Sequence, residues 1–399
     1  SNPVIYLFLG GFILARGLEK TRLNERIALR ILKITGKSDK GIVLGFIIAT
    51  AFLSMWISNT ATTVMMVPIG LSVIAFLRSN LAKEEAASLN SMSLVLFLSI
   101  AYAANIGGIA TPIGTPPNVV FVGYLDELYQ QRVDFWRWMM ITGPVAVALL
   151  AIMFLLLNKM YKYEIPISQE FKSFVRQKLL NLGPVDHKQK MTLSIFAVVC
   201  FLWVFKGLIH YLVGSSFLND TGIAIMGGIL LFLLPTQLKK GEPVLDYTDI
   251  GKLPWNIVLL FGGGMAMAGT LKDVGLIQQT THIFTQMDLG SPYILIAMLA
   301  LLTLFLTEIM SNVALCVVAL PVIMNLGVAQ GIDPMVIGLP AALCASFAFS
   351  MPISTPPNAI VFGTNQVTVK QMLRAGILLN FIGVFVVMTL GWLMMNLWL

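Results

Sequence analysis

Two short polar runs interrupt an otherwise apolar sequence, and their residue types are those that hold small ions. Ser58-Asn59-Thr60-Ala61, with Pro68 beyond it, and Ser311-Asn312-Val313-Ala314, with Pro321 beyond it, stand 253 residues apart, and the same offset pairs Ser54 with Thr307. A second pair, Pro112-Ile113-Gly114-Thr115-Pro116-Pro117-Asn118 and Pro352-Ile353-Ser354-Thr355-Pro356-Pro357-Asn358, repeats at an offset of 240. Upstream, Leu7, Phe8, Gly10 and Gly11 match Leu260, Phe261, Gly263 and Gly264, again 253 residues on. Recurrence at near-constant offsets marks an internal duplication.

Hydroxyls, amide oxygens and backbone carbonyls are hard, neutral ligands. Beside the N-termini of interrupted helices, whose free N-H groups attract negative charge, they can hold a cation next to an anion. Ser54, Ser58, Asn59 and the Gly114 backbone form one candidate oxygen cage, and Thr307, Asn312 and the Ser354 backbone its twin; Thr60, Thr115 and Thr355 offer hydroxyls to the space between. No Lys, Arg or His lies near either tip in the sequence. An unpaired dianion in low dielectric costs on the order of tens of kcal/mol by the idealised Born estimate, so positive charge must accompany it. Co-bound monovalent cations, at least two, are the candidates. Neutral oxygen cages favour Na⁺ over H⁺, because a proton needs a titratable carrier. The one deeply placed carboxylate is Glu308, where the first repeat has Met55. It is read as a proton relay, a direct ligand or, preferentially, a structural partner for a hairpin backbone group.

The elements that position these tips follow from the composition. Of 399 residues 57% are hydrophobic and 11% charged, which places the chain among polytopic membrane proteins. The net charge of +7 sits mostly in loops, the signature of membrane topology and not of nucleic-acid binding. The pattern predicts an all-α protein with spans at 3–19, 137–158, 191–213, 220–236, 256–271 and 375–398. It predicts re-entrant hairpins at 41–77 and 292–329, since arms of about 17 residues are marginal for a core of roughly 30 Å. Helices broken by paired prolines are predicted at 92–126 and 336–368. A basic amphipathic stretch from Lys20 to Lys40 and a patch around Phe171 to Leu182 are expected at the membrane interface.

Five crossings separate the first span from its copy, and an odd number inverts the second half. The positive-inside rule agrees: the stretch after the first span holds seven Lys or Arg, its counterpart at 272–290 only Lys272. Loops 159–190, 237–255 and 363–374 are predicted cytoplasmic, and 127–136, 214–219 and 330–335 outside. The opening Ser-Asn-Pro-Val, without an initiator Met, predicts that further residues precede Ser1.

Other groups have plainer readings. His187, His210 and His282 are scattered and read as interfacial, Lys206 as snorkelling, and Cys200, Cys316 and Cys344 as small packing residues. The Gly10-Gly11 and Gly262-Gly263-Gly264 clusters read as close helix packing. No HExxH, GxSxG or Walker motif is present, so no enzyme is expected.

With its paired Ser-Asn and Thr-Pro-Pro-Asn motifs, the chain resembles the divalent anion:sodium symporter family, the bacterial dicarboxylate transporters of the INDY type, over essentially its whole length. The resemblance implies a multi-pass protein of the bacterial inner (plasma) membrane, a homodimer among membrane lipids, and import of C4 dicarboxylates (succinate, fumarate, malate) with Na⁺. It implies a scaffold, 1–40 and 171–291 with its interfacial arms, holding a transport domain, 41–170 and 292–399, that moves as an elevator. The family's first sodium site then falls on Ser54, Ser58, Asn59 and Gly114, and the second on Thr307, Asn312 and Ser354. Its carboxylate contacts fall on Asn59, Thr60, Thr115, Asn312, Val313 and Thr355, with Val313 departing from the usual Thr. Alternatives are a sulfate or citrate symporter of the same architecture, a proton-coupled transporter using Glu308, and a membrane scaffold without transport.

Overall fold

A computed structural model describes residues 3–213, 219–236, 241–275 and 291–398. The described elements are helices, in two series. The first runs α1 (Pro3–Lys20), α2 (Leu23–Thr35), α3 (Asp39–Ser54), α4 (Asn59–Asn80), α5 (Ala86–Gly108), α6 (Pro116–Tyr129) and α7 (Phe135–Met160). The connecting α8 (Gln169–Asn181), α9 (His187–Val213), α10 (Asp220–Leu233) and the single turn α11 (Tyr247–Ile250) follow. The second series runs α12 (Trp255–Asp273), α13 (Pro292–Thr307), α14 (Asn312–Ala329), α15 (Pro334–Cys344), α16 (Pro356–Phe362), α17 (Val369–Val386) and α18 (Trp392–Trp398). Among the described residues six helical stretches are long and apolar enough to cross a membrane.

Polar contacts sort the loops to two ends. At one end, Arg26 donates to the carbonyls of Leu182 and Gly183, and Lys20 pairs with Asp246 and Asp249. There too Asp39 accepts from the Ile165 amide, and Tyr161 donates to the Gln371 carbonyl. At the other end, Gln131 donates to Asp333, Lys206 pairs with Asp134 and Asp220, and Asp220 accepts from the Phe135 amide. This is the division expected from charge, with the basic loops together.

The same contacts establish the inversion. α1 ends at Lys20 against Asp249 of α11, the turn just before α12, and a shared cavity is lined by Pro3 and Ile5 from the start of α1 and by Gly269 and Thr270 from the end of α12. The two copies are therefore antiparallel. Each hairpin returns to its own end. α3 starts at Asp39 in the basic end, and the chain after α4 is there again, where Ser88 meets Glu164. α14 leads to Asp333 at the opposite end. With 16 residues each, α3 and α13 extend about 24 Å, short of a roughly 30 Å core, whereas the returning α4, with 22 residues, is longer than the arm of about 17 expected and, like α14, is among the six long apolar stretches.

α5 is the axis of the first half. Every residue from Met92 to Gly108 is buried, as expected of a helix apolar on all sides. Glycines allow the closest approaches: a Cβ on Gly10 would lie 2.5 Å from the Ala224 backbone, and one on Gly107 2.4 Å from the Ala51 carbonyl oxygen. Gly264 also packs closely, against Val317, whereas a Cβ on Gly262 or Gly263 would meet nothing within 4 Å among the described residues, contrary to the packing expected of the whole cluster.

Two further expectations change. The stretch from Lys20 to Lys40 is not one interfacial helix, because α2 stops at Thr35 and Ser38 caps α3, and Arg26 is buried by the carbonyls it satisfies. Lys206 does not snorkel; its side chain is 8% exposed and held between two carboxylates. Most of the outer arm, with His282, lies outside the described residues.

Candidate ion and anion site at the hairpin tips

Each hairpin turns where its sequence is polar. Ser58 accepts from the Ala61 amide and Ser311 from the Ala314 amide, so both serines are N-caps of the returning helices α4 and α14. That leaves Asn59 and Asn312 as first helical residues. Each is half-buried, while Thr60 and Ser311 are exposed.

The cage-forming atoms come together. Ser54 Oγ lies 2.7 Å from Asn59 Oδ1 and 2.7 Å from the Ala104 carbonyl oxygen. In the second half Thr307 Oγ1 lies 2.8 Å from Asn312 Oδ1 and 2.7 Å from the Ala345 carbonyl oxygen. A hydroxyl has one proton, so each trio of oxygens has one hydrogen to share between two acceptors. Such an oxygen-rich cluster suits a small monovalent cation. No Lys, Arg or His donates to either trio among the described residues. Gly108 keeps the first one open, since a Cβ there would lie 2.5 Å from Asn59 Oδ1.

The helix breaks lie at 109–115 and 345–355, directly beside these trios. Thr115 and Thr355 are the extended residues before α6 and α16, and prolines occupy the first helical positions, where a missing N-H costs nothing. Asn118 Nδ2 donates to the Gly108 and Thr111 carbonyls, and Asn358 Nδ2 to those of Ala348 and Met351, the same bonds 240 residues on. These asparagines brace the unwound backbone. The amide oxygens of both are buried without a partner among the described residues.

The halves meet through Asn105. Asn59 Nδ2 lies 3.4 Å from Asn105 Oδ1, and Asn105 Nδ2 donates to Thr355 Oγ1 at 3.3 Å. The first hairpin tip is thereby joined to the second broken helix. Reciprocally, the second hairpin meets the first broken helix, where Tyr124 donates to the Val317 carbonyl and Tyr129 to Asn325 Oδ1. No direct hydrogen bond joins Asn312 to Thr115 among the described residues.

Glu308 breaks the symmetry. Its carboxylate accepts from the Ser350 amide at 2.8 Å, the Met351 amide at 3.2 Å and Asn380 Nδ2 at 2.6 Å. It is a backbone partner, as preferred above, but for the broken helix and not for its own hairpin. In the first half the corresponding tie is reversed, Thr111 Oγ1 donating to the Met55 carbonyl.

Of the residues singled out from sequence, Ser54, Asn59, Thr307 and Asn312 form the trios, and Thr355 joins them through Asn105. Gly114 and Ser354 lie in the breaks. Ser58 serves as a cap, and the exposed Thr60 makes no side-chain hydrogen bond among the described residues. The Ala104 and Ala345 carbonyls, Asn105, Asn118 and Asn358 were not foreseen. A lone Asn within an apolar run was the available signal for Asn105; a backbone carbonyl leaves none.

Antiparallel halves, hairpins entering from opposite ends, and unwound backbone beside oxygen clusters define an inverted-repeat membrane protein of the secondary-transporter class. The profile of the family described as "Sodium:sulfate symporter transmembrane region" matches residues 1–399, and the chain belongs to that family. It is 36% identical over 393 residues to the sodium-dependent dicarboxylate transporter SdcS of Staphylococcus saprophyticus, covering 97% of this chain and 75% of the relative. With the protein of the same name from Staphylococcus aureus it shares 35% over 392 residues, at the same coverage. Among solved structures, the crystal structure of the Alcanivorax borkumensis YdaH transporter, described as having an unusual topology, aligns with a TM-score of 0.60 and 13% identity over 99% of this chain and 85% of that one. That likeness concerns the fold alone.

Proposed function

We propose that this chain is a sodium-coupled secondary transporter that imports C4 dicarboxylates such as succinate, fumarate and malate by an elevator movement. The carrying observation is the pair of matched oxygen trios, Ser54–Asn59–Ala104 and Thr307–Asn312–Ala345. The names of the staphylococcal relatives support both the ion and the substrate class. Each trio takes one Na⁺, with the Gly114 and Ser354 backbones completing the two cages. The dicarboxylate lies between them, against the N-termini of α4, α6, α14 and α16, in reach of Thr60, Thr115, Val313 and Thr355. Two sodium ions neutralise the dianion, and a third would add charge movement worth about 2.3 kcal/mol per 100 mV.

Uptake of labelled succinate into proteoliposomes, with and without an inward Na⁺ gradient, tests this. Stimulation by the gradient is expected, and equal uptake in both arms would sink the reading. Because the family's description names sulfate, unlabelled sulfate, citrate and succinate should be set in competition; succinate is expected to compete best.

The moving body comprises 41–170 and 292–399 and the scaffold 1–40 and 171–291, in a homodimer. Trp56 and Phe135 of the former stack on Trp203 of the latter, and Asp134 pairs with Lys206 across the same boundary. A reducible bifunctional thiol crosslink between Asp134→Cys and Lys206→Cys, in a background lacking the native cysteines, should stop uptake and reductant restore it. Undiminished flux through the crosslinked protein argues against the sliding boundary.

A further inference from the structure

At the basic end, α2 and α8 enclose a pocket of about 270 Å³ that the transport reading does not use. Lys33, Lys172 and Arg176 line it above an apolar floor of Leu32, Phe171 and Val175, each at most 2% exposed. None of the three cations has an ion pair or hydrogen bond among the described residues, and no carboxylate lines the pocket. The nearby acids are engaged elsewhere: Glu25 pairs with Arg22, Asp39 accepts from the Ile165 amide, and Glu170 bonds Ser168. Three unpaired cations held together repel one another, and an anion between them relieves that repulsion.

A second groove of about 160 Å³ shares Leu32 and Val175 with the first and continues over Pro68, Ile69, Val73 and Phe174, with Glu25, already paired with Arg22, and Ser72 also lining it. Lys178 lies over the Phe174 ring at 5.5 Å. A cationic mouth continuing into a largely apolar groove matches an amphiphile with a phosphate head and acyl tails. We infer that the α2–α8 pocket binds the phosphate headgroup of an anionic phospholipid, whose chain follows the groove towards α4. Phe76 of α4 stacks on Phe174 at 4.5 Å, so an occupied pocket braces the helix that begins at Asn59.

The test is native mass spectrometry of the full chain in detergent, titrated with phosphatidylglycerol or with phosphatidylcholine. Phosphatidylglycerol should be retained selectively. In Lys33→Gln/Lys172→Gln/Arg176→Gln its affinity should fall on the order of 100-fold, from about fivefold per charge. The variant Lys159→Gln/Lys162→Gln/Lys190→Gln, with the same charge change at the same end, should keep wild-type affinity. Equal loss in both variants overturns the site in favour of diffuse surface attraction, and no loss in either overturns it outright. If millimolar inorganic phosphate displaces the lipid, the pocket is a soluble-anion site and the lipid assignment fails. Should the triple variant not fold, Arg176→Gln alone, at an exposed position, should weaken binding several-fold, and unchanged binding would overturn the proposal.

Discussion

A hydroxyl has one proton to give, and at Ser54 and at Thr307 two oxygens lie within reach of it. Under the proposed function, Ser54→Ala or Thr307→Val removes one ligand of three in its trio. With about 1–3 kcal/mol at stake per lost polar contact, half-saturation by Na⁺ should rise roughly tenfold or more in uptake assays, with the fold intact. Glu308 belongs to the scaffolding of its break, so Glu308→Gln should leave Na⁺-driven uptake in place. It should lower the melting temperature, because the new amide N-H faces the Ser350 or Met351 amide and charge-assisted bonds worth about 1.5–3 kcal/mol are lost. Uptake that lost its response to a pH gradient in this variant would restore the proton-relay reading. At this scale sequence identified side chains with oxygen to offer but not their partners: any residue can supply the Ala104 or Ala345 carbonyl.

Helix ends were legible because they have chemical causes. Ser58 and Ser311 cap, the paired prolines start α6 and α16, and the offsets of 253 and 240 carry each feature from one half to the other. What holds the unwound segments was not legible as a role, although Asn118 and Asn358 close both repeated motifs. Their amides each satisfy two carbonyls that no helix can reach. Asn118→Ala should therefore speed amide exchange across 109–115, and Asn358→Ala across 345–355. The cost should be about 1–3 kcal/mol each, and the opposite break should be unaffected. Exchange rising equally in both breaks would mean that the halves do not brace independently. The amphipathic patch near Phe171 became α8 as the pattern suggested. The basic stretch before it split instead, because Ser38 restarts a helix.

For the whole molecule, charge told which loops share an end, and ion pairs fasten those ends. Asp249 sits between Arg16 and Lys20. Burial alone would raise its carboxyl pKa, but hydrogen bonds from Lys20, the Asp246 amide and Arg16 outweigh it and hold the pKa below the usual range. A carboxyl lowered on folding stabilises above its unfolded value of about 3.9 and loses that contribution as pH falls through the folded value. Asp249→Asn should accordingly melt lower than the parent at pH 7, the gap closing below about pH 4; a gap independent of pH would exclude the ion pairs as its cause. The ring stack between hairpin and α9 has a different consequence. The indoles of Trp56 and Trp203 lie 6.3 Å apart and 2° from parallel, close enough for their electronic transitions to couple. The protein thus carries its own optical gauge. Under the proposed elevator movement, a paired near-ultraviolet dichroism band should be present at rest, vanish in Trp203→Phe, and fade when ion and solute binding slides one body past the other.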